Sequence, residues 1–291
     1  MKQVLLCAAF MTLMGTQVAK SQKKESKEQI KKEHSFDSSS KENKLIIKNV
    51  FGSITVEGYD GDQVLFSVEK TISAESNENL ELGKRELQLK VFKKGNLIIA
   101  HPDAPYISFN EGRLKFDWCN DNDYDEPGYD HHMNFSVKVP KNIKVEVSTI
   151  NDGEVLVKNT RGDFIKANNI NGGITLERIT GQTDVHCING EVNISYVDNP
   201  SASSTYYSLN GDINITYQKD LSADVAFKSM NGEMFTDFDI AKQYTKTSKN
   251  EEGNKKKGKY KYEARPMVQI GKGGIDFDFE TLNGNVFIKK I

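Results

Sequence analysis

The chain has 291 residues, which allows one long domain or two ordinary ones, and a formal net charge of -2. This balance of charge gives no electrostatic basis for nucleic-acid binding. No internal apolar run approaches the roughly 18 residues that span a bilayer, so we expect no transmembrane segment in the mature chain.

The first residues predict export. Lys2 precedes an apolar stretch from Val4 to Met14, and Ala19-Lys20-Ser21 fits a small-x-small cleavage site. These features are typical of a secretory signal peptide, which we assign to residues 1–21 with cleavage near Ser21-Gln22. The mature protein is then expected in the periplasm, on the outer surface or secreted.

Residues 22–43 are rich in Lys, Glu, Ser and Gln and contain almost no apolar residues. Such a segment cannot bury enough surface to offset the entropy lost on ordering, so it is predicted to be a flexible linker. One domain is expected from residue 44 to residue 291.

Alternating apolar residues predict short strands from Lys44 onwards. The first half of the domain offers one candidate helix, Glu75–Arg85. The strand candidates in this half are 45–47, 52–56, 64–68, 88–92 and 97–100.

Two charged segments interrupt the strand pattern. Residues 110–134 form an acidic stretch that includes Pro127 and Gly128, and residues 241–265 are rich in lysine. Both are predicted to be surface loops inserted into the domain.

An Asn-Gly pair recurs through the second half of the chain. After a degenerate copy at Asn151-Asp152-Gly153, the asparagines are spaced by 20, 18, 21, 21 and 52 residues. A fixed period of this length is typical of a stacked repeat, and both residue types suit a tight corner because they tolerate left-handed backbone angles. The predicted structural turns are Asn171-Gly172, Asn189-Gly190, Asn210-Gly211, Asn231-Gly232 and Asn283-Gly284.

Aligning the copies on their asparagines brings apolar residues into common columns at alternate positions, so each repeat holds two strands with one face inward. A single repeat buries too few side chains to fold alone, and neighbouring repeats must therefore share one core. The predicted fold is all-β, a β-solenoid resembling a single-stranded β-helix of coils of ~20 residues, with at most one short helix. The alternative is a β-sandwich in which Asn-Gly forms tight hairpins.

The order of these motifs resembles the bacterial putative-adhesin family of domains of unknown function. The resemblance rests on Val137-Lys138-Val139-Pro140, the Asn-Gly copies, and the ending Ile270-Gly271-Lys272-Gly273-Gly274 followed by Leu282-Asn283-Gly284. It covers about residues 44–291. It implies a β-solenoid in an exported or envelope-associated protein, and it carries no catalytic residues.

The acidic insertion contains a weak calcium candidate. Asp121, Asp123 and Asp125 have the spacing of the first three ligands of an EF-hand loop, but Glu126 and His132 stand where that loop needs Gly and Glu. A solvated acidic loop is the favoured interpretation, and no cofactor is expected.

Aromatic residues in the same insertion are candidates for partner contact. Trp118, Tyr124 and Tyr129 could contact an envelope protein or a glycan, or instead cap one end of the solenoid. The adjacent His131 and His132 would face opposite sides of a strand, which argues against a metal site there.

Cys187 falls in a column of small residues and is predicted to be a buried spacer. A disulfide between Cys119 and Cys187 is an alternative, because an exported protein meets oxidising conditions.

The sequence favours an exported, non-catalytic β-repeat protein with an adhesin-like role at the surface or envelope. The first alternative is a periplasmic accessory or sensing module that docks one protein partner. A weaker alternative is a glycan-acting enzyme, since Glu191, Asp212 and Glu233 are predicted to form an outward column with a spacing of one coil, ~4.8 Å.

Overall fold

The computed structural model describes residues 23–117, 127–250 and 261–291. Nearly all of the described secondary structure is β-strand, which confirms the all-β prediction. The elements in chain order are β1 (Lys24–Ser35), β2 (Lys44–Lys48), β3 (Ile54–Tyr59), β4 (Gln63–Ala74), α1 (Asn77–Glu86), β5 (Gln88–Lys94), β6 (Leu97–Asp103), β7 (Phe109–Asn110), β8 (Lys115–Phe116), β9 (Tyr129–Pro140), β10 (Lys144–Thr149), β11 (Val155–Lys158), β12 (Phe164–Asn171), β13 (Ile174–Ile179), β14 (Gln182–Asn189), β15 (Val192–Tyr196), β16 (Ser204–Asn210), β17 (Ile213–Tyr217), β18 (Ala223–Lys228), β19 (Met234–Thr236), β20 (Ile240–Asn250), β21 (Lys261–Ile270), β22 (Asp276–Asn283) and β23 (Val286–Lys290).

The strands form two large sheets that the chain visits alternately. The first sheet has the order β1-β4-β9-β3-β11-β13-β15-β17-β23-β19, and the second has the order β20-β21-β18-β22-β16-β14-β12-β10-β2-β6-β5. From β10 to β17, successive repeats pair in parallel within each sheet. The repeats therefore stack as coils of two strands each, and the apolar columns of the sequence fill the space between the sheets.

The last coil does not lie at the end of the stack. β22 pairs with β16 on one side and β18 on the other, and β23 lies between β17 and β19 in the same way. The terminal coil β18–β19 thus precedes β22–β23 in the chain, and β22–β23 lies beneath it in the stack. The spatial order of the asparagines is 151, 171, 189, 210, 283 and 231, which differs from their order in the sequence.

The N-terminal end of the stack is closed by a cap of antiparallel strands and the helix α1. β4 pairs antiparallel with β1 and β9. The side chain of Ser76 accepts a hydrogen bond from the Asn79 amide and caps α1, as expected for an N-cap serine. The absence of a side chain at Gly83 lets the helix approach Ile72 and Tyr129 closely.

Residues 24–35 differ from the expected flexible linker, because they form β1. The strand pairs with β4 over its whole length, from Lys24 opposite Ala74 to Ser35 opposite Gln63. Its side chains are mostly exposed, and Ile30 is one of the few that pack on the core. Backbone pairing with an existing sheet edge orders this polar segment, and composition alone carries no sign of such pairing.

The two charged insertions also differ from the predicted loops. β20 and β21 pair antiparallel, so the described part of 241–265 is a hairpin that extends the second sheet. In 110–134, β8 pairs with β7, and β9 starts at Tyr129. Residues 118–126 and 251–260 lie outside the described residues.

A row of tyrosines crosses the core near the middle of the stack. Tyr196, Tyr206 and Tyr217 are at most 1% exposed. The Tyr206 hydroxyl lies 2.8 Å from that of Tyr196 and accepts a hydrogen bond of 2.9 Å from that of Tyr217. Burial raises the pKa of all three phenols, so they stay neutral. The network satisfies the hydroxyl groups that a core of this kind would otherwise leave unpaired.

Candidate functional site

The Asn-Gly turns all lie along one corner of the stack, where the chain passes from the second sheet to the first. Each asparagine carboxamide donates a hydrogen bond to the asparagine side-chain oxygen of the coil beneath it. The donor–acceptor distances are 2.7 Å for Asn171 to Asn151, 2.9 Å for Asn189 to Asn171, 2.9 Å for Asn210 to Asn189, 2.8 Å for Asn283 to Asn210, and 2.8 Å for Asn231 to Asn283. We call this row the asparagine ladder.

The glycines of the same corner are required by crowding more than by backbone angle. A Cβ on Gly211 would lie 2.1 Å from the carbonyl oxygen of Gly190, and one on Gly232 would lie 2.0 Å from that of Gly284. Gly211 has a φ of +155°, whereas Gly232 is not among the glycines with positive φ. The expectation that left-handed angles explain the motif therefore holds only in part, because the close approach of successive coils is the common feature.

Small polar side chains support this corner from inside. Cys187 is fully buried, and its thiol donates to the carbonyl oxygens of Gly172 and Gly190 at 3.3 Å. Burial raises the pKa of this thiol to about 11. Ser208 donates to the Gly190 carbonyl at 3.2 Å. Cys187 is thus placed as a structural spacer, while Cys119 lies outside the described residues and its disulfide stays a prediction.

The outward acidic column is not arranged as the sequence suggested. Glu191 and Asp212 lie on adjacent coils, but the inserted coil places Asn285 between Asp212 and Glu233. The Asp212 carboxylate accepts a hydrogen bond of 2.7 Å from the Asn285 amide. Asp212 and Glu233 are therefore two coils apart, and the expected spacing of one coil is wrong for this pair.

Of the aromatic and acidic candidates in 110–134, the structure describes only Tyr129. Trp118, Tyr124, Asp121, Asp123 and Asp125 lie outside the described residues. Tyr129 is 5% exposed, and its hydroxyl donates to a Glu86 carboxylate oxygen at 3.0 Å. Tyr129 therefore packs in the cap and offers no exposed surface to a partner.

His131 and His132 face opposite sides of β9, as predicted for neighbours in a strand. His131 is 6% exposed, its Nδ1 lies 3.0 Å from the Tyr106 hydroxyl, and its Nε2 has no hydrogen-bond partner among the described residues. Burial lowers the pKa of His131 to about 4, so the ring is neutral at pH 7. In the described part of the chain, no group of three or more His, Cys, Asp or Glu side chains is placed to hold a metal ion.

The opposite corner, where the chain returns from the first sheet to the second, has an irregular surface. Its connections differ in length, as in 141–143, 159–163, 180–181 and 197–203. Four of the Asn-Gly connections, 172–173, 190–191, 211–212 and 284–285, have one length, and the terminal connection 229–233 is longer. Segment 36–43 runs beside this corner and leaves a cleft of about 1180 Å³. A second cleft of about 590 Å³ continues along it. We call the two clefts together the corner groove.

The corner groove is polar, and its charges are largely paired. Lys141 pairs with Asp60, Lys144 pairs with Glu42 at 2.7 Å, and Arg161 lies 3.8 Å from Asp198. The hydrogen bond to Glu42 raises the pKa of Lys144. Pairing leaves little excess of either charge for an ionic ligand.

Hydroxyl groups and two aromatic rings complete the groove. Ser38, Ser39 and Ser40 line it together with Phe36 and Tyr59. The Tyr59 hydroxyl donates to the Gln63 carbonyl at 2.9 Å, which holds the ring in place. Such a surface suits an uncharged ligand rich in hydroxyl groups, and its volume is at or above the roughly 300–1,000 Å³ of small-molecule sites.

Sequence reasoning missed the groove, because its walls come from segments about 100 residues apart. Ser39, Tyr59 and Lys141 meet only through the stacking of non-adjacent strands. The one available signal was the irregular spacing of the turns between the Asn-Gly copies.

Comparison with known proteins finds a domain family that matches much of the stack. Residues 135–267 match the family Toastrack DUF4097. The matched segment begins in β9 and ends in β21. It therefore includes the second half of β9 and the corner turns from 140 onwards, but neither β1–β8 with α1 nor the inserted coil β22–β23. No curated protein matches the chain.

Three solved structures resemble the chain at low identity. A "putative cell adhesion protein" from Clostridium sporogenes is 12% identical, with a TM-score of 0.38, covering 93% of this chain and 100% of its own. A "putative adhesin" from Bacteroides fragilis is 11% identical, with a TM-score of 0.34 and coverages of 91% and 98%. A "putative lipid binding protein" from Parabacteroides distasonis is 12% identical, with a TM-score of 0.28 and coverages of 90% and 96%. Similarity at this level does not assign a ligand.

Among the described residues, no helix has the length and apolar character that crossing a bilayer requires.

Proposed function

We propose that this protein is an exported, non-catalytic binding module with an adhesin-like role, and that the corner groove holds a neutral glycan of the cell envelope or of a target surface. The observation that carries the proposal is the groove itself, a long polar cleft with paired charges, serine hydroxyls and two aromatic rings. Sugar hydroxyls match such donors and acceptors, and a sugar ring can pack on Tyr59 or Phe36.

Export supports this assignment, since a glycan outside the cell is within reach only of a secreted or envelope protein. The predicted signal peptide in residues 1–21 is the basis for that localisation. The stack supports it as well, because its paired strands and the connections between them carry Tyr59 and Lys141 in one wall of the groove, opposite segment 36–43.

A glycan array tests the proposal. We expect the mature protein to bind neutral glycans in preference to sulfated or sialylated ones. Because the groove charges are paired, binding should change little between low salt and physiological salt.

Two matched substitutions locate the site. Ser39→Trp places a bulky side chain in the larger cleft of the groove, and Ser136→Trp places the same side chain on the exposed face of β9. We expect Ser39→Trp to abolish array binding and Ser136→Trp to leave it unchanged. Equal binding by Ser39→Trp and the wild type would contradict the proposal.

The second candidate function is a periplasmic accessory module that docks a protein partner. The observation that favours it is the apolar edge strand β19 at the far end of the stack, which pairs with β23 on one side only among the described residues and is independent of the groove. We do not favour the glycan-acting enzyme, since Asp212 and Glu233 are not neighbours and the Asp212 carboxylate is held by the Asn285 amide.

A further inference from the structure

The two large sheets have four edge strands, and one of them differs from the rest. β1, β5 and β20 each carry several lysines. Charged side chains, lysine above all, are a common means of preventing an edge from pairing with another chain. The fourth edge, β19, has the sequence Met-Phe-Thr and carries no charge.

The outer side of β19 offers backbone groups for pairing. The Glu233 carbonyl accepts from the Val286 amide at 2.9 Å, and the Asp237 amide donates to the Ile288 carbonyl at 3.1 Å. Since the direction of these bonds alternates along a strand, the amide and carbonyl groups of Met234 and Thr236 point away from β23. In the described part of the chain no other strand pairs with that side.

The side chains at this edge are apolar and incompletely covered. Phe235 is 46% exposed, and its ring stacks on Phe287 with centroids 5.2 Å apart. Met234 is only partly buried, whereas its counterparts Ile213 and Val286 in the coils beneath are fully buried. Met230, just before the turn, is 76% exposed. The last layer of the core therefore lacks a cover, which terminal repeats of solenoid proteins normally require.

The charges that flank the edge indicate what covers it. Glu233, Asp237 and Asp239 are exposed and form no ion pair within the described residues. A second copy of the chain paired antiparallel about Phe235 would set Glu233 opposite Asp237 of that copy. Like charges directly opposite each other destabilise a strand pair, so self-pairing is disfavoured.

We propose that β19 is a docking edge for an extended segment of a partner protein, with apolar residues at alternate positions and lysine or arginine on either side. The partner strand would complete the hydrogen bonds of Met234 and Thr236. Its apolar side chains would pack on Met234 and Phe235, and its basic residues would pair with the flanking acids. This mode of recognition is strand addition to a sheet edge, with backbone bonds giving affinity and side chains giving selectivity.

Two synthetic peptides test the proposal by isothermal titration with the mature protein. Both contain alternating valine and threonine, one flanked by lysines and the other by glutamates. We expect the lysine-flanked peptide to bind at least about tenfold more tightly, a difference of about 1.4 kcal/mol, and to weaken at high salt. Absence of binding, or equal binding of the two peptides, would overturn the proposal.

Substitutions then locate the site. Phe235→Lys gives β19 the character of the other three edges and should weaken the lysine-flanked peptide by at least about tenfold. Ile170→Lys is the matched control, because Ile170 is also an exposed apolar residue, at 41%, but lies on the asparagine-ladder corner. Phe235→Thr serves if the lysine variant does not fold. Glu233→Gln with Asp237→Gln should remove the preference for lysine flanks.

Size-exclusion chromatography tests whether a second copy of the chain, and not a partner protein, occupies the β19 edge. A monomer is expected for the wild type. A dimer that Phe235→Lys dissociates would show that a second copy occupies the edge, and it would overturn the proposal. Failure of peptide binding leaves the glycan proposal intact, because Ser39→Trp and Phe235→Lys lie at different places on the stack.

Discussion

The repeat stack and the N-terminal cap differ in the groups that hold them together. The stack, β10–β19 with β22–β23, has a corner made of uncharged asparagines and of glycines in contact with carbonyl oxygens. The cap, made chiefly of β1, β4, the first half of β9 and α1, buries His131 and Tyr129, and the Tyr129 hydroxyl donates to the half-buried Glu86. Close approach of backbones therefore holds the Asn-Gly corner of the stack, whereas the burial of His131 makes the stability of the cap depend on pH.

The largest effect is expected from Gly211→Ala, which breaks the close approach of coils. The new Cβ would lie 2.1 Å from the Gly190 carbonyl oxygen, at a φ of +155°. We expect the free energy of unfolding to fall by about 3 to 4 kcal/mol, measured by urea denaturation.

Gly95→Ala is the control for Gly211→Ala. Gly95 has a φ of +60°, and a Cβ added there would meet nothing within 4 Å, so the substitution should cost about 1 to 2 kcal/mol, from backbone angle alone. A similar loss in both variants would contradict the role of crowding.

The second prediction concerns the pH dependence of the cap. The pKa of His131 is lowered from 6.5 to about 4, so the folded state favours the neutral ring. Above about pH 6.5 the ring is neutral in both the folded and the unfolded chain. As the pH falls towards 4, the unfolded chain binds a proton that the folded chain does not, and the free energy of unfolding decreases by about 3 kcal/mol in total. Urea denaturation at a series of pH values measures this loss.

His131→Gln should reduce the dependence between pH 6.5 and pH 4, because glutamine does not titrate. A smaller slope should remain, since burial also lowers the pKa of His34 and of His101. His132→Gln is the matched control on the exposed side of the same strand, and its profile should follow the wild type. A wild-type profile in the His131→Gln protein would show that another group is responsible.

The smallest loss of stability is expected from substitutions in the asparagine ladder, and it compares the middle of the ladder with its end. Asn210→Ala removes one hydrogen bond to Asn189 and one from Asn283, both on the exposed corner. We expect a loss of about 1 kcal/mol. Asn231→Ala lies at the end of the ladder and removes only the bond to Asn283, so about half that loss is expected. Equal losses would show that the ladder is not a continuous row.

The parts of the fold that follow a repeated pattern could be predicted from the sequence. The columns around Asn189 and Asn210 indicated the inward faces of β14–β17, and their register matches the observed pairs Val185 with Tyr206 and Val192 with Ile213. The candidate helix Glu75–Arg85 also overlaps most of α1, Asn77–Glu86.

The order of the coils could not be predicted. The β22–β23 coil carries the same columns as its neighbours, so it fits between β17 and β19 as well as after β19. The sequence period describes a coil but does not say which coil it contacts. β1 was missed for a related reason, because its order comes from pairing with β4 and not from its own apolar content.

The candidate groove could not be predicted from the sequence for a third reason. Its residues, such as Ser39 and Arg161, belong to connections that do not repeat, and their proximity depends on the order of the strands. The open edge at β19 depends on the same order, since the position of Phe235 in the chain does not reveal that it ends a sheet.

The order of coils is therefore the claim on which the groove and the open edge both depend, and cysteine cross-linking tests it most directly. In a background with Cys119→Ser and Cys187→Ser, cysteines at 210 and 283 would sit on adjacent strands, at ~4.8 Å, within disulfide range. Cysteines at 210 and 231 would be about twice as far apart, beyond disulfide range. We predict that mild oxidation forms an intramolecular disulfide, seen by mass spectrometry, in the 210–283 protein and not in the 210–231 protein. The opposite result would contradict the inserted coil.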